Sequence, residues 1–180
     1  MVKLENKLKF KKPKIGILGG SFDPAHKGHL YISKKAFKKF SLKFVLWAIT
    51  SQNPFKKRSY NDLKKRMVYC KKIVGNNKFI KVKYFEDIIN SNKTSDLIDY
   101  LNKSKKYDLY FLMGADNLIN FHKWYKCKNI LKKSKLIVFD RHGYKKKSLN
   151  SKTYKNSKGK KVTFVELNKV NISSSQLRKI

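Results

Sequence analysis

Short apolar runs alternate with longer amphipathic segments along this chain of 180 residues. The apolar runs predict buried strands at residues 15–18, 44–49, 79–82, 108–113, 135–139 and 162–167. Apolar residues at helical spacing follow the first two runs, at Leu30, Phe37 and Phe40 and then at Leu63, Met67, Cys70 and Val74. Because strands that alternate with helices form parallel sheets, the pattern predicts an α/β fold. We expect a single-domain, Rossmann-like parallel sheet of five to six strands with helices on both faces.

The remaining segments carry weaker signals. Thr94 or Ser95 is expected to cap another helix, and residues 118–131 form one amphipathic stretch. Residues 145–161 contain mainly Lys, Ser and Asn without an apolar period, which predicts a mobile loop. Residues 1–13 are expected to be a basic N-terminal lead-in to one domain that spans residues 14–180.

The first strand ends in a glycine pair, and a tight turn and two histidines follow it. The stretch contains Gly19, Gly20, Ser21, Phe22, His26, Gly28 and His29. Glycine has no Cβ, so the main-chain N–H groups of the pair can approach an anion closely. The helix that begins here offers free N–H groups and the positive end of its dipole to the same anion. The two histidines stand one turn apart and can face one phosphate.

Ser-Phe-Asp-Pro-x-His-x-Gly-His after an apolar strand resembles the signature of the HxGH nucleotidyltransferase superfamily. These enzymes move a nucleotidyl group from a nucleoside triphosphate to a phosphate or carboxylate acceptor. Ile172–Arg178 resembles the second motif of the superfamily, ISSTxxR, with Ser175 in place of Thr. A serine run alone is usually a helix cap. At a helix start, the hydroxyl and N–H groups of residues 173–175 could bind the β- and γ-phosphates, and Arg178 supplies a planar cation.

Three further matches point to one branch of that superfamily. Gly114-Ala115-Asp116-Asn117-Leu118, with Phe121 and Trp124, resembles the GxDxLxxFxxW segment of bacterial nicotinate-nucleotide adenylyltransferases. Residues 136–144 are similar to the LIVxxRxGY segment of that family, and residues 52–56 resemble its acceptor loop. The similarity runs from about residue 14 to the end of the chain. It implies transfer of the adenylyl group of ATP to nicotinate mononucleotide, which gives deamido-NAD and pyrophosphate in NAD biosynthesis.

The resemblance also implies roles for individual residues. The catalytic set would be His26, His29 and Arg178. The ATP-binding set would be Gly19, Gly20, Ser21, Phe22, His26, Gly28, His29, Gly114, Asp116, Ser173, Ser174, Ser175 and Arg178. The mononucleotide-binding set would be Asn53, Lys56, Thr94, Trp124 and Arg141. Mg²⁺ is expected to arrive with ATP, without a set of protein ligands of its own.

Some of these roles have competing explanations. Asp116 would accept hydrogen bonds from ribose hydroxyls of the adenylyl nucleotide. Trp124 would stack on the pyridine ring, although spacing alone favours core packing for this tryptophan. Thr94 would lie near the pyridine carboxylate, but Lys93 stands where the family has a tyrosine. Adenylyl transfer to nicotinamide mononucleotide or to phosphopantetheine therefore remains an alternative.

The strong positive charge raises an alternative from another class, a basic nucleic-acid-binding protein. Lys and Arg number 45 against 11 Asp and Glu, which gives a formal net charge of +34. Only residues 58, 66, 141 and 178 are Arg, and the lysines are spread through nearly every predicted helix and loop. Because they form no concentrated stripe, we expect no specific nucleic-acid partner. The field would instead speed encounters with the phosphorylated small-molecule substrates.

The cysteines and the hydropathy argue against a structural metal site, a membrane span and a secretory signal. Cys70 and Cys127 lie far apart without metal-binding spacing, which predicts two reduced thiols and no structural zinc. No apolar run approaches the roughly 18 residues that a membrane span needs. The N-terminal segment lacks the apolar region of a secretory signal. A cytoplasmic protein without a membrane partner is expected, and the sequence leaves its oligomeric state open.

Overall fold

The computed structural model describes residues 11–52, 61–140, 143–157 and 160–167. Within these residues the chain forms one six-stranded sheet with helices between the strands. The strands are β1 (Lys14–Gly20), β2 (Phe44–Ile49), β3 (Ile80–Tyr84), β4 (Asp108–Gly114), β5 (Ser134–Phe139) and β6 (Val162–Val165). The helices are α1 (Lys27–Phe40), α2 (Leu63–Val74), α3 (Glu86–Ile89), α4 (Thr94–Lys103), α5 (Ala115–Ile119), α6 (Cys127–Lys133), α7 (Lys145–Leu149) and α8 (Lys152–Ser157).

All five strand pairs are parallel, and the strand order is β3-β2-β1-β4-β5-β6. The order reverses at β1, where Ile17 pairs with Leu46 of β2 on one side and with Phe111 of β4 on the other. In open parallel sheets, ligands bind beyond the carboxyl ends of the strands at this kind of reversal. The predicted Rossmann-like α/β sheet of five to six strands is confirmed.

The sheet separates two hydrophobic clusters. Alternate residues of β1 point to opposite faces, so Ile15 and Ile17 join one cluster and Leu18 joins the other. The first cluster lies under α4 and α6, and the second lies under α1 and α2. Trp47 of β2 is fully buried in the second cluster, and its indole Nε1 donates to Ser33 Oγ at 2.8 Å. This bond ties α1 to the middle of the sheet.

The stretch 118–131 is not one helix. It contains the end of α5, a short 3₁₀ turn (Phe121–Lys123) and the start of α6. The break has a main-chain cause, because Trp124 is extended and Lys126 has a positive φ of 47°. Helix α4 also differs from expectation, since its N-cap is Lys93 rather than Thr94 or Ser95.

The prediction of a mobile loop over residues 145–161 is wrong for residues 145–157, which form α7 and α8. These helices have no apolar period because small polar side chains make several of their buried contacts. Ser148 Oγ donates to the carbonyl oxygen of Ala115 at 2.6 Å, and Ser151 and Thr153 are also buried. The predicted helix after Ile172 and residues 1–10 of the expected lead-in lie outside the described residues.

Strand β3 forms one edge of the described sheet and carries lysines on it. Lys81 and Lys83 are exposed, and Lys81 Nζ lies 4.3 Å from the centre of the Phe44 ring. Within the described residues, no helix is both long and apolar enough to cross a membrane.

The two cysteines differ in environment, which gives a test of the fold. Cys70 is fully buried, and burial raises the pKa of its thiol to about 12. Because the thiolate is the reactive form, Cys70 should not react at pH 8, whereas the half-buried Cys127 should react slowly. Iodoacetamide labelling followed by mass spectrometry should show one labelled thiol in the native protein and two in urea. Labelling of Cys70 at the rate of an unfolded control would contradict this packing.

Candidate active site

The two histidines begin α1 and cap it reciprocally. His26 is the N-cap residue, and its Nδ1 accepts the main-chain N–H of Gly28 at 3.1 Å. His29 Nδ1 accepts the main-chain N–H of His26 at 3.2 Å. This arrangement is a capping box in which imidazoles replace the usual hydroxyl and carboxylate. The structure therefore brings His26, Gly28 and His29 together, and it gives both histidines a structural role that the sequence motif did not reveal.

The capping bonds fix which ring nitrogen of each histidine carries a proton. Because both Nδ1 atoms accept hydrogen bonds, a neutral ring holds its proton on Nε2. The ring centres lie 3.9 Å apart, and His26 is largely buried. Two Nε2–H donors at the positive end of one helix form an arrangement that suits an anionic oxygen.

The loop of residues 21–26, here called the histidine loop, is anchored in the core by Phe22. That residue has a positive φ of 48°, is only 1% exposed, and stacks on Trp47 with ring centres 4.9 Å apart. The His29 ring contacts the same phenyl ring at 4.8 Å. The Phe22 side chain therefore packs against the ring of His29, and its expected contact with ATP stays a prediction.

Arg66 of α2 holds the histidine loop from the other side, and the sequence motifs did not point to it. Its side chain is 3% exposed. The guanidinium donates to the carbonyl oxygens of Ser21 at 2.6 Å, Thr50 at 2.8 Å, Ser51 at 2.9 Å and Asn61 at 3.1 Å. The one available signal was compositional, because this chain uses Lys almost everywhere that a cation is needed.

Glu86, at the start of α3, is a second residue that sequence reasoning missed. Its carboxylate accepts the main-chain N–H of Ser51 at 3.2 Å and the hydroxyl groups of Thr50 and Ser51. Tyr84 donates to the same carboxylate at 3.4 Å. Thr50 and Ser51 directly follow β2. Their position at the edge where the strands have their carboxyl ends, here called the ligand edge, therefore depends on both Arg66 and Glu86.

A cleft of about 280 Å³ opens at the carboxyl ends of β1, β2 and β4. Gly19 and Gly20 form part of its floor, and Thr94 and Trp124 line its sides. The structure thus brings together four residues that the resemblance placed in two different subsites. Trp124 also contacts Phe111 and Phe121, so it packs on the core while it lines the cleft.

The charged groups around the cleft are mostly cationic. Lys93 and Lys123 are exposed side chains on its lining, and Glu86 is the carboxylate there. With two ammonium groups and one carboxylate, the lining residues carry a net positive charge, which favours an anionic ligand.

Gly114 and Asp116 meet at the end of β4, outside the lining of this cleft. A Cβ added to Gly114 would lie 2.4 Å from Asp116 Oδ1, so a larger residue at 114 would displace the carboxylate. This close approach explains why a glycine precedes the aspartate by two residues. Because β4 and β1 are parallel neighbours, the Asp116 carboxylate lies at the same edge of the sheet as the histidine loop.

The other expected site residues are not described by the structure. Asn53, Lys56, Arg141, Ser173, Ser174, Ser175 and Arg178 all lie outside the described residues. Their assignment therefore stays a prediction from the sequence.

Comparison with protein families agrees with this geometry. The family model described as cytidylyltransferase-like matches residues 17–180. A probable nicotinate-nucleotide adenylyltransferase of Pelagibacter ubique (strain HTCC1062) is 64% identical over 180 residues, which is 100% of both chains. A relative of the same name from Bradyrhizobium sp. (strain ORS 278) is 35% identical over 140 residues, 77% of this chain and 72% of the relative.

Solved structures share the fold at lower identity. Nicotinic acid mononucleotide adenylyltransferase of Plasmodium falciparum, complexed with APC, superposes with a TM-score of 0.75 at 22% identity. The match covers 93% of this chain and 83% of that one. A putative nicotinate-nucleotide adenylyltransferase from Vibrio parahaemolyticus gives a TM-score of 0.63 at 19% identity, over 93% and 85% of the two chains. From the motifs, the sheet topology and the full-length identity, the chain belongs to the cytidylyltransferase-like family and, within it, to the nicotinate-nucleotide adenylyltransferases.

Proposed function

We propose that this protein transfers the adenylyl group of ATP to nicotinate mononucleotide and releases pyrophosphate. The observation that carries the proposal is the pair of imidazoles at the start of α1, at the point where the strand order reverses and beside a cleft lined by an aromatic ring. Family membership at 64% identity over the full chain supports the same reaction. The matched relatives carry the name of this activity.

The proposed reaction needs no protein nucleophile. An oxygen of the 5′-phosphate of the mononucleotide attacks the α-phosphorus of ATP, and the bond from that phosphorus to the β-bridging oxygen breaks. Pyrophosphate takes the electron pair of the broken bond. Because the attacking group is already an anion, catalysis consists of positioning the two phosphates and stabilising the charge on the transferring group.

In this proposal the histidines stabilise the α-phosphate. Their Nδ1 atoms are held by main-chain N–H groups, so the Nε2–H groups are the donors that can meet phosphate oxygens. The rings need not turn as charge develops, because the capping bonds and the Phe22 ring already hold them. Residues 173–175 and Arg178 would hold the leaving pyrophosphate, and Asp116 would bind the adenylyl ribose. These roles rest on the motifs.

The cleft beside Trp124 is the proposed site of the pyridine ring. A cationic, electron-poor ring stacks favourably on an indole face, and Thr94 lies on the same lining. The ammonium groups of Lys93 and Lys123 would favour a ring that carries a carboxylate over one that carries a neutral amide. This charge supports the nicotinate form over the nicotinamide form.

Mg²⁺ is proposed to accompany ATP. Within the described residues, no group of three or more His, Cys, Asp or Glu side chains could hold a metal ion. Phosphate oxygens of ATP would be its main ligands, as is common for this ion. When bound, it would neutralise part of the triphosphate charge. A cytoplasmic location stays a prediction from the sequence.

The choice of acceptor is tested directly by pyrophosphate release. With ATP and Mg²⁺, the protein should release pyrophosphate fastest with nicotinate mononucleotide, more slowly with nicotinamide mononucleotide and not measurably with phosphopantetheine. A coupled pyrophosphate assay, with the deamido-dinucleotide product verified by mass spectrometry, measures all three in parallel. No release with any acceptor would refute the proposed function.

Substitutions can separate the chemical role of the histidines from their capping role. His26→Asn and His29→Gln keep a side-chain acceptor for the capping bonds and remove the imidazole, so they should stay close to wild-type stability. His26→Ala and His29→Ala lose the acceptor and should cost about 1 kcal/mol of the free energy of unfolding. All four should lower kcat by about 100-fold or more. Urea denaturation and steady-state kinetics provide the measurements, and wild-type turnover in His29→Gln would contradict the mechanism.

The charge on the cleft gives a test of specificity. In the double variant Lys93→Met/Lys123→Met, kcat/KM for nicotinate mononucleotide should fall about fivefold, which corresponds to about 1 kcal/mol, while kcat/KM for nicotinamide mononucleotide should change little. Lys128→Met/Lys132→Met removes the same charge from exposed positions on α6 and serves as the control. Equal losses in both doubles would show that the overall positive field, and not the cleft, is responsible.

A further inference from the structure

We infer that Arg66 and Glu86 form a clamp that positions the reacting phosphates by fixing Thr50–Ser51 relative to the histidine loop. Both are positioning residues, and neither belongs to the motifs that define the site. The inference rests on the proposed adenylyl transfer, because a fixed spacing between these segments matters only if two substrates react between them.

Arg66 supplies the side of the clamp that binds carbonyl groups. Its Nη1 donates both to Ser21 O at 2.6 Å and to Thr50 O at 2.8 Å, so one nitrogen joins the histidine loop to the end of β2. Its Nη2 donates to Ser51 O at 2.9 Å. The guanidinium is 3% exposed, and at that depth each carbonyl group that lost its donor would lack water to replace it.

Glu86 supplies the opposite side. Its carboxylate accepts the main-chain N–H and the hydroxyl group of Ser51 and the hydroxyl group of Thr50. Thr50 and Ser51 are therefore held through their carbonyl groups by a cation, and through their hydroxyl groups and the Ser51 N–H by an anion. A two-residue segment with this many fixed partners cannot shift without breaking several charge-assisted hydrogen bonds at once.

Asp23 connects the histidine loop to Arg66 through Asn61. Asp23, which is 2% exposed, accepts the main-chain N–H of Asn61 at 3.3 Å and its side-chain Nδ2 at 2.8 Å. Arg66 Nε donates to the carbonyl oxygen of the same Asn61 at 3.1 Å. The histidine loop, the end of β2 and the start of α2 thus meet around a single guanidinium.

The choice of arginine at this position supports a geometric requirement. The chain contains 41 Lys and 4 Arg, so Lys is its ordinary cation. A lysine ammonium is a single point with three donors, whereas the planar guanidinium presents donors in fixed, divergent directions. The carbonyl acceptors lie on three separate segments, so a planar guanidinium can bind them all and an ammonium group cannot.

The clamp acts on the part of the site where alignment matters. Gly20 precedes the histidine loop, and both Gly20 and Thr50 line the cleft proposed for the mononucleotide. Thr50 N also donates to Gly20 O at 3.0 Å. In the proposal the histidine loop meets the α-phosphate of ATP, and Thr50 lines the cleft of the mononucleotide. A misplacement of about 1 Å between the reacting groups can cost about 100-fold in rate.

Arg66→Lys is the principal test, with Lys64→Arg on the exposed side of α2 as the matched cation exchange. Arg66→Lys should lower kcat by about 10- to 100-fold and leave both KM values within about threefold, because binding surfaces persist while alignment is lost. Lys64→Arg should leave kcat and both KM values unchanged. Assays are run at a temperature at which circular dichroism shows every variant to be folded.

Glu86→Gln tests the other half of the clamp and decides the matter if Arg66→Lys does not fold. Its control is Asp87→Asn, the same change at the exposed neighbouring residue. Glu86→Gln should also lower kcat selectively, and Asp87→Asn should not. A folded Arg66→Lys or Glu86→Gln variant that keeps kcat within twofold of wild type would overturn the clamp.

Hydrogen exchange separates failure of the clamp from failure of the proposed function. In both clamp variants, amides of residues 48–52 should exchange at least about tenfold faster, while those of β4 keep their protection. If the wild-type protein releases no pyrophosphate with any acceptor, the proposed function is wrong and this local exchange still judges the clamp. Unchanged exchange at residues 48–52 would refute it whatever the activity.

Discussion

The guanidinium of Arg66 is shared among carbonyl groups of three segments, and the ligand edge of the sheet depends on it. Parallel strands end in carbonyl groups that need donors, and the hydrogen bond from Thr50 N to Gly20 O meets this need at only one of them. One buried cation meets that need at Ser21, Thr50 and Ser51. Because its charge is surrounded by carbonyl dipoles, the cation is stabilised by the same groups that it holds.

Each histidine ring has two roles in the proposed enzyme. Its Nδ1 completes the start of α1, and its Nε2 would meet the α-phosphate, so the fold and the proposed chemistry depend on the same side chains. Phe22 and Trp47 stack beneath them and limit how far the rings can move. Preorganisation here comes from capping and packing contacts within the protein itself.

Local patterns predicted the strands, the start of α1 and the histidine pair, because these features depend on residues close together in the sequence. Arg66 and Glu86 could not be predicted in the same way. Their partners at Ser21, Thr50 and Ser51 lie 15 to 45 residues away and include many main-chain atoms, which no motif records. Helices α7 and α8 were missed for a related reason, since Ser148 reaches the core through a hydrogen bond to Ala115. Apolar periodicity detects only contacts made by apolar side chains.

The lysines of strand β3 have a consequence for the protein at high concentration. An edge strand presents unpaired N–H and C=O groups that another chain could join. Lys81 and Lys83 are exposed on this strand, so a second copy that paired with it in register would bring like charges together. The formal net charge of +34 extends that repulsion over the whole molecule. In a crowded solution, the excess of lysine therefore acts as a colloidal stabiliser that keeps neighbouring sheets apart.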